Sequence, residues 1–132
     1  MLTYFGTKAT VGALGILCKD NRIYPGWPIL VSGDCKRESG EKHAAIIQTV
    51  LNGINELQAN TKLRIVSIAS DGESRRGSAF ILLTFKSPLS QNSPIYPILK
   101  PLKFLDLHVG DDDLTCDKDW KHIFKRWRNL LV

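Results

Sequence analysis

The chain has 132 residues, 43% of them hydrophobic, and carries a formal net charge of +5 at pH 7 with a pI near 9.2. This length allows at most one domain, and the hydrophobic content is enough for a buried core, so a disordered chain is not expected. The excess of basic residues favours an anionic partner, most simply nucleic acid, or else marks a solvated helix face.

Two apolar runs near the amino terminus predict a β-hairpin. Ala9–Leu17 is interpreted as a buried strand, and extended character returns at Ile23–Tyr24 and Pro28–Ser32 after the polar turn residues Asp20 and Asn21. Prolines in the second run restrict it to an edge or give it an irregular start.

A helix is predicted next, with its start at Ser39 and its last turn at Gln58. The capping box is incomplete, because Lys42 stands where an acid or amide would reach back to the cap. Apolar residues recur at helical spacing and are interpreted as core: Ala44, Ile47, Val50 or Leu51, Ile54 and Leu57.

The run from Thr61 to Ala69 predicts a buried strand, because it is rich in β-branched apolar residues and Gly72 breaks the pattern soon afterwards. Asp71 then stands at the carboxyl end of a strand, where open α/β sheets place their chemistry. The alternative is that Asp71 caps the turn or helix that follows. This stretch alone leaves both interpretations open.

Shorter elements are predicted after Asp71. Ala79–Phe85 favours a helix, Ser87–Pro101 is a proline-rich internal loop, and Phe104–Val109 is a short strand. The three acids Asp111–Asp113 lack the spacing of a calcium loop and are interpreted as a solvated turn rather than a cation site.

From Asp119 onward, the pattern predicts an amphipathic helix with a basic flank. Its apolar residues repeat at intervals of three and four: Trp120, Ile123, Phe124, Trp127, Leu130 and Leu131. The residues expected to contact nucleic acid are Lys121, Lys125, Arg126 and Arg128. All three tryptophans, including Trp27, are interpreted as core rather than as platforms for base stacking. Neither Gly nor Asn closes the helix, so we expect the sequence to continue in a longer protein.

The cysteines and the amino terminus bear on metal chemistry and compartment. None of the three cysteines belongs to a CxxC pair or lies near paired histidines, which argues against a zinc site. No basic run precedes an apolar signal segment, and Thr10–Cys18 is too short and too rich in glycine to span a bilayer. We therefore expect an intracellular, reduced protein without a membrane partner.

The order of these elements and two short motifs resemble the middle of the catalytic domain of P-element/THAP-type transposases, which are RNase H-like DDE enzymes. The first motif is Ser70-Asp71-Gly72-Glu73-Ser74, after the first core helix and strand. The second, Asp119–Asn129, is similar to the family's Asp-x-x-His-Leu-x-Lys-x-x-Arg-Asn but differs by one residue in the spacing of its lysine. The resemblance spans most of the chain from about Ala9, and extends to fungal reading frames of mobile-element origin.

This resemblance implies an α/β fold, in which residues 1–132 form a single incomplete RNase H-like domain with helices packed on the faces of a mixed β-sheet. It implies that Asp71 is a catalytic acid that binds metal, with Asp119 and His122 as a structural motif beside it. His122 is interpreted either as fixing the loop near Asp71 or as facing solvent, since an isolated histidine needs a partner before it acts as a base.

The family's chemistry needs two divalent ions, Mg²⁺ or Mn²⁺, and three acids to hold them. The resemblance implies that the family's first acid lies upstream of the hairpin, on the first strand of the sheet, and that the third lies far downstream of Val132; flanking domains would then be missing. The local aspartates that could replace them do not occupy matching positions: Asp34, Asp106 and Asp111–Asp113. We therefore expect no tight metal binding and no catalysis by the chain alone. From the basic helix we expect weak DNA binding, and descent from a transposase would imply a nuclear location. The alternative is a non-enzymatic module that binds DNA or protein through its basic helix.

Overall fold

The structure is a computed structural model that describes residues 8–16, 26–34, 38–62, 64–71 and 73–131. It has mixed α/β content, as predicted. The chain divides into two compact units, Met1–Glu38 and Ser39–Val132. In place of one mixed sheet, the described residues form three separate two-stranded sheets.

The amino-terminal unit contains one antiparallel pair, formed by β1 (Lys8–Leu14) and β2 (Trp27–Asp34). Pairing of these two runs confirms the predicted strands, although the predicted turn at Asp20 and Asn21 lies outside the described residues. The burial predicted for the first run, Ala9–Leu17, is wrong in β1, since Val11 is 60% exposed; its cross-strand partner Val31 on β2 is 72% exposed. The described part of this unit has no second layer that could cover these side chains.

The register of this pair shifts once, between Gly12 and Ala13, which lie opposite Leu30 and Pro28. The irregular start predicted for the second strand is confirmed by this shift, because proline cannot donate to the ladder. A Cβ on Gly12 would approach the Leu30 Cβ to 3.1 Å, so the strands are close at the irregularity.

The carboxyl-terminal unit begins with helix α1 (Gly40–Thr61), which starts where the sequence predicts and extends beyond Gln58. Ser39 is its N-cap, and its Oγ accepts a hydrogen bond from the Lys42 N–H at 3.4 Å. The helix ends at Lys62, which adopts a left-handed conformation with φ 56° and donates its N–H to Gln58.

The core of this unit is a small cluster of Ala44, Ala79 and Leu83, with Ile47 and Ile68 packed against it. It joins α1 to helix α2 (Ser74–Thr84) and to strand β3 (Ser67–Ser70). Only the first half of the predicted apolar stripe on α1 contributes, because Leu51 is buried whereas Leu57 is exposed.

Strand β3 is much shorter than the strand predicted from Thr61 to Ala69. That prediction is wrong at its start because Thr61 belongs to α1 and Lys62 to its C-cap. Strand β3 pairs in parallel with β6 (Thr115–Lys118), so that Ser67 lies opposite Thr115 and Ser70 opposite Lys118. The helix predicted over Ala79–Phe85 is confirmed by α2, which starts earlier, at Ser74.

The segment after α2 differs from both predictions made for it. The predicted loop, Ser87–Pro101, contains a short strand and a helical turn, and the predicted strand, Phe104–Val109, is mostly not extended. Ser87–Pro88 is strand β4, which pairs antiparallel with β5 (His108–Val109), and Tyr96–Leu99 is the single turn α3. The strand predicted over Phe104–Val109 is therefore wrong except for its last two residues. Phe104 has φ 68°, which extended backbone does not allow.

Asp111–Asp113 form a short 3₁₀ turn, and its carboxylates are exposed as predicted. They are also paired with basic side chains from other elements. Arg64 Nε lies 3.0 Å from Asp112 Oδ2, and Lys86 pairs with Asp111. These ion pairs thus connect the turn to the segment just before β3 and to the segment just after α2.

Helix α4 (Trp120–Leu131) confirms the predicted terminal helix. The interpretation of the tryptophans as core is wrong for Trp27 and Trp127, which are both exposed, while the side chain of Trp120 lies outside the described part. None of the described helices is long and apolar enough to cross a membrane.

Candidate functional site

The parallel pairing of β3 and β6 brings two acidic segments to one edge of their sheet. The Asp119 N–H donates a hydrogen bond to the Ser70 carbonyl at 3.0 Å, directly beyond the last pair of the ladder. An open recess at this edge is lined by Ala69, Ser70, Asp71, Asp117, Lys118 and Asp119. The expected proximity of Asp71 to the segment that begins at Asp119 is therefore confirmed.

Asp71 is held at this edge by neighbours on both sides. Its Oδ1 accepts hydrogen bonds from Arg76 Nη1 at 3.0 Å and from Ser70 Oγ at 3.1 Å. Partial burial raises the pKa of Asp71, but the Ser70 hydrogen bond, the Arg76 charge, the Glu73 N–H and the His122 charge together bring it below the usual value. Asp71 is therefore an ionised carboxylate at neutral pH, with a guanidinium as its closest cation.

The Glu73 N–H, which helps to lower the pKa of Asp71, also bears on the alternative in which Asp71 only supports the turn. Glu73 is the N-cap of α2 and makes no side-chain capping bond of its own. Asp71 thus interacts with the turn that leads into α2 and also lines the recess. Its interpretation as a catalytic acid stays a prediction.

Asp119 caps the start of α4. Its Oδ1 accepts a hydrogen bond from the Lys121 N–H at 2.9 Å, and its Oδ2 lies 2.8 Å from His122 Nδ1. The His122 hydrogen bond is the main reason that the pKa of Asp119 lies below its usual value, and the Lys121 N–H adds to the effect. His122 therefore bonds to its own helix cap, and its ring is about half exposed.

The donor set at this edge does not fit the pair of divalent ions that the resemblance implies. Among the described residues, no group of three His, Cys, Asp or Glu side chains could hold a metal ion. Asp71 already pairs with Arg76, and a guanidinium at 3.0 Å opposes a second cation at the same oxygen. Asp119 is likewise engaged by His122 and by a backbone N–H.

The predicted nucleic-acid contacts lie on α4, beyond this edge. Lys121, Lys125 and Arg128 are exposed, whereas the Arg126 side chain lies outside the described part. Of these residues, Lys121 is close enough to the edge for its charge to lower the pKa of Asp119.

Sequence reasoning missed two basic residues at the edge, Arg76 and Lys118. Arg76 follows Asp71 across the turn, and an arginine so near the acid was the available signal for an ion pair. Lys118 ends β6 and lines the recess. Its position became apparent only with the long-range pairing of β6.

Comparisons of the chain with protein-family models, curated proteins and solved structures give no match. The resemblance to transposases therefore depends on the two sequence motifs and the order of the predicted elements.

Proposed function

We propose that the chain is a fragment or degenerate descendant of a DDE-type transposase catalytic domain, with a partial RNase H-like core, and that alone it neither cuts nor joins DNA. The supporting observation is the parallel β3–β6 pair, whose carboxyl ends carry Asp71 and the Asp119–His122 motif at one edge. This is the arrangement that the resemblance implies for the family's second acid and the motif after the next strand.

The proposed lack of activity follows from the ligands at this edge. Transfer of a phosphodiester with two metals needs one ion at the attacking oxygen and another at the leaving oxygen. A single carboxylate leaves each ion mostly hydrated, so that neither oxygen is positioned for the reaction. The ion pair between Asp71 and Arg76 further reduces the charge available to a cation.

A nicking assay on supercoiled plasmid, in Mg²⁺ or Mn²⁺, tests this part of the proposal. We expect the native chain and Asp71→Ala to be equally inactive. Activity in the native chain that is abolished in Asp71→Ala would refute it, because other local acids would then complete a metal pair. Equal activity in both proteins would indicate a contaminating nuclease and would require repurification before the comparison is made.

The genomic sequence on either side of the coding segment tests the proposed origin. We expect an upstream strand that ends in Asp and a downstream Glu, intact or decayed. Flanking sequence without either acid would contradict descent from a DDE enzyme and would favour the binding module.

A second candidate function, DNA binding by α4, is favoured by the exposed Lys121, Lys125 and Arg128. Phosphate contacts made by lysine and arginine release counterions, so the affinity should be weak, independent of base sequence and lower at high salt. This candidate does not need a metal site, and it holds whether or not the chain descends from a transposase.

Fluorescence anisotropy with a labelled duplex, between about 50 and 200 mM salt, measures this contact. Replacing the three basic residues with Ala should reduce the slope of log affinity against log salt by as much as about 2.7. The control carries the same change in net charge away from α4: Lys42→Ala, Lys100→Ala and Lys103→Ala. Equal slopes in the two triple variants would show that α4 does not contact phosphates.

A further inference from the structure

Helix α4 has an exposed apolar side that the DNA contact does not use. Phe124, Trp127 and Leu130 are 59%, 58% and 82% exposed. Their spacing of three residues places them along one side of a three-turn helix. The Phe124 and Trp127 rings meet edge to face, 5.9 Å apart, and form one continuous apolar surface.

The charges on α4 restrict what can cover this surface. Lys121, Lys125 and Arg128 lie beside it, and residues 120–131 include no acidic residue. A second copy of α4 on the same side would bring these positive charges together, which disfavours self-association. The complementary partner therefore has an apolar centre and an acidic rim.

The acidic edge at the start of α4 favours a protein over an anionic membrane. Asp119 is exposed directly before the helix, and Asp71 and Asp117 line the same recess. A flat anionic bilayer against the full length of α4 would meet the exposed Asp119 carboxylate, at a cost in repulsion. A groove can enclose three turns of helix and leave this edge in water.

We propose that the apolar side of α4 docks into an apolar groove with an acidic rim on a partner protein, the chemistry that calcium-loaded calmodulin presents. A basic amphipathic helix with apolar anchors along one side is the ligand that such a groove binds. Trp127 is the central anchor because it lies between Phe124 and Leu130 and is the largest side chain of the three. This inference is independent of the proposed function.

Calorimetric titration of calcium-loaded calmodulin with the full chain tests the proposal. We expect binding that a calcium chelator abolishes. Trp127→Ala and Leu130→Ala should each weaken it at least about tenfold, as expected for anchors in a groove. Phe104→Ala is the matched control, because Phe104 is fully exposed elsewhere in the same unit, and it should leave the affinity unchanged.

Circular dichroism establishes that each variant keeps the native helix content, which is expected because the replaced side chains are exposed. Absence of calcium-dependent binding at about 100 μM protein would overturn the proposal, as would equal weakening by the Phe104 control. Binding to anionic phospholipid vesicles that depends on Trp127, without binding to calmodulin, would assign the surface to a membrane and also overturn it. Trp127→Ala should leave the salt slope for DNA unchanged, so this result and the DNA result are separable.

Discussion

Gly110 lies at a close approach of two backbone segments, and replacing it with alanine should destabilise the carboxyl-terminal unit. Gly110 is buried and donates its N–H to the Leu114 carbonyl at 2.8 Å. A Cβ at this position would lie 2.1 Å from the Leu83 carbonyl oxygen and 3.2 Å from the Thr84 Cα. Its φ of −84° suits any residue, so the cost comes from the steric clash alone.

The size of the effect follows from what has to move. The clashing atoms belong to the backbone of α2, so no side-chain rotation relieves the contact. Overpacking of this kind typically costs about 1–3 kcal/mol, and we expect the upper end for Gly110→Ala. For a unit of this size, about 3 kcal/mol lowers the melting temperature by roughly 12–24 °C.

Thermal melts followed by circular dichroism measure this change, and Gly53→Ala is the control. Gly53 is exposed within α1, and a Cβ there would have no neighbour within 4 Å. Alanine is the better helix former by about 0.5–1 kcal/mol, so Gly53→Ala should raise the melting temperature by roughly 2–8 °C. Equal melting temperatures for Gly110→Ala and the native chain would refute the close approach.

Three further substitutions test the cap, the core and the site. Ser39→Ala should cost about 0.5 kcal/mol in urea unfolding, the low end for a cap, because the hydrogen bond is long at 3.4 Å; no loss would exclude the cap. Leu83→Ala should cost about 2–5 kcal/mol, whereas exposed Leu82→Ala on the same helix should cost less than half as much; similar losses would contradict the core assignment. Arg76→Ala should raise the pKa of Asp71 towards its ordinary 3.8 in a carbon-13 NMR titration. Because the pKa of Asp71 is lowered in the folded state, this carboxylate stabilises the fold at pH values above its ordinary pKa, and the stabilisation is lost as pH falls through the folded-state pKa. Arg76→Ala should reduce this stabilisation. An unchanged pKa of Asp71 in the variant would show that the ion pair has no effect.

The elements that local pattern specifies were predictable from the sequence. Helical spacing located α1 and α4, and Ser39 marked the first helix start. The boundary at Thr61 was not predictable from composition, because β-branched residues favour a strand. The Thr61 Oγ1 instead donates a hydrogen bond to the Leu57 carbonyl within α1, and Lys62 ends the helix in a left-handed conformation.

Strand β6 could not be predicted from hydrophobic periodicity, because Thr115–Lys118 does not alternate apolar and polar residues. Its position is set by long-range hydrogen bonds, such as the one from the Thr115 N–H to the Val66 carbonyl at 3.1 Å. At the site, the position of Asp71 at a strand end was predictable. The nearness of Arg76 in the sequence pointed to an ion pair, but the contact also depends on how the turn directs α2, which composition does not determine.

The parallel pair that carries the candidate site is assembled from distant parts of the chain, and this affects synthesis of the protein. Val66 and Thr115 are 49 residues apart, so at about 5–20 residues per second β3 waits roughly 2–10 s for its partner to be translated. During that interval, its backbone edge is open to pairing with other chains. Strand β3 is only four residues long, and this short length limits such aggregation.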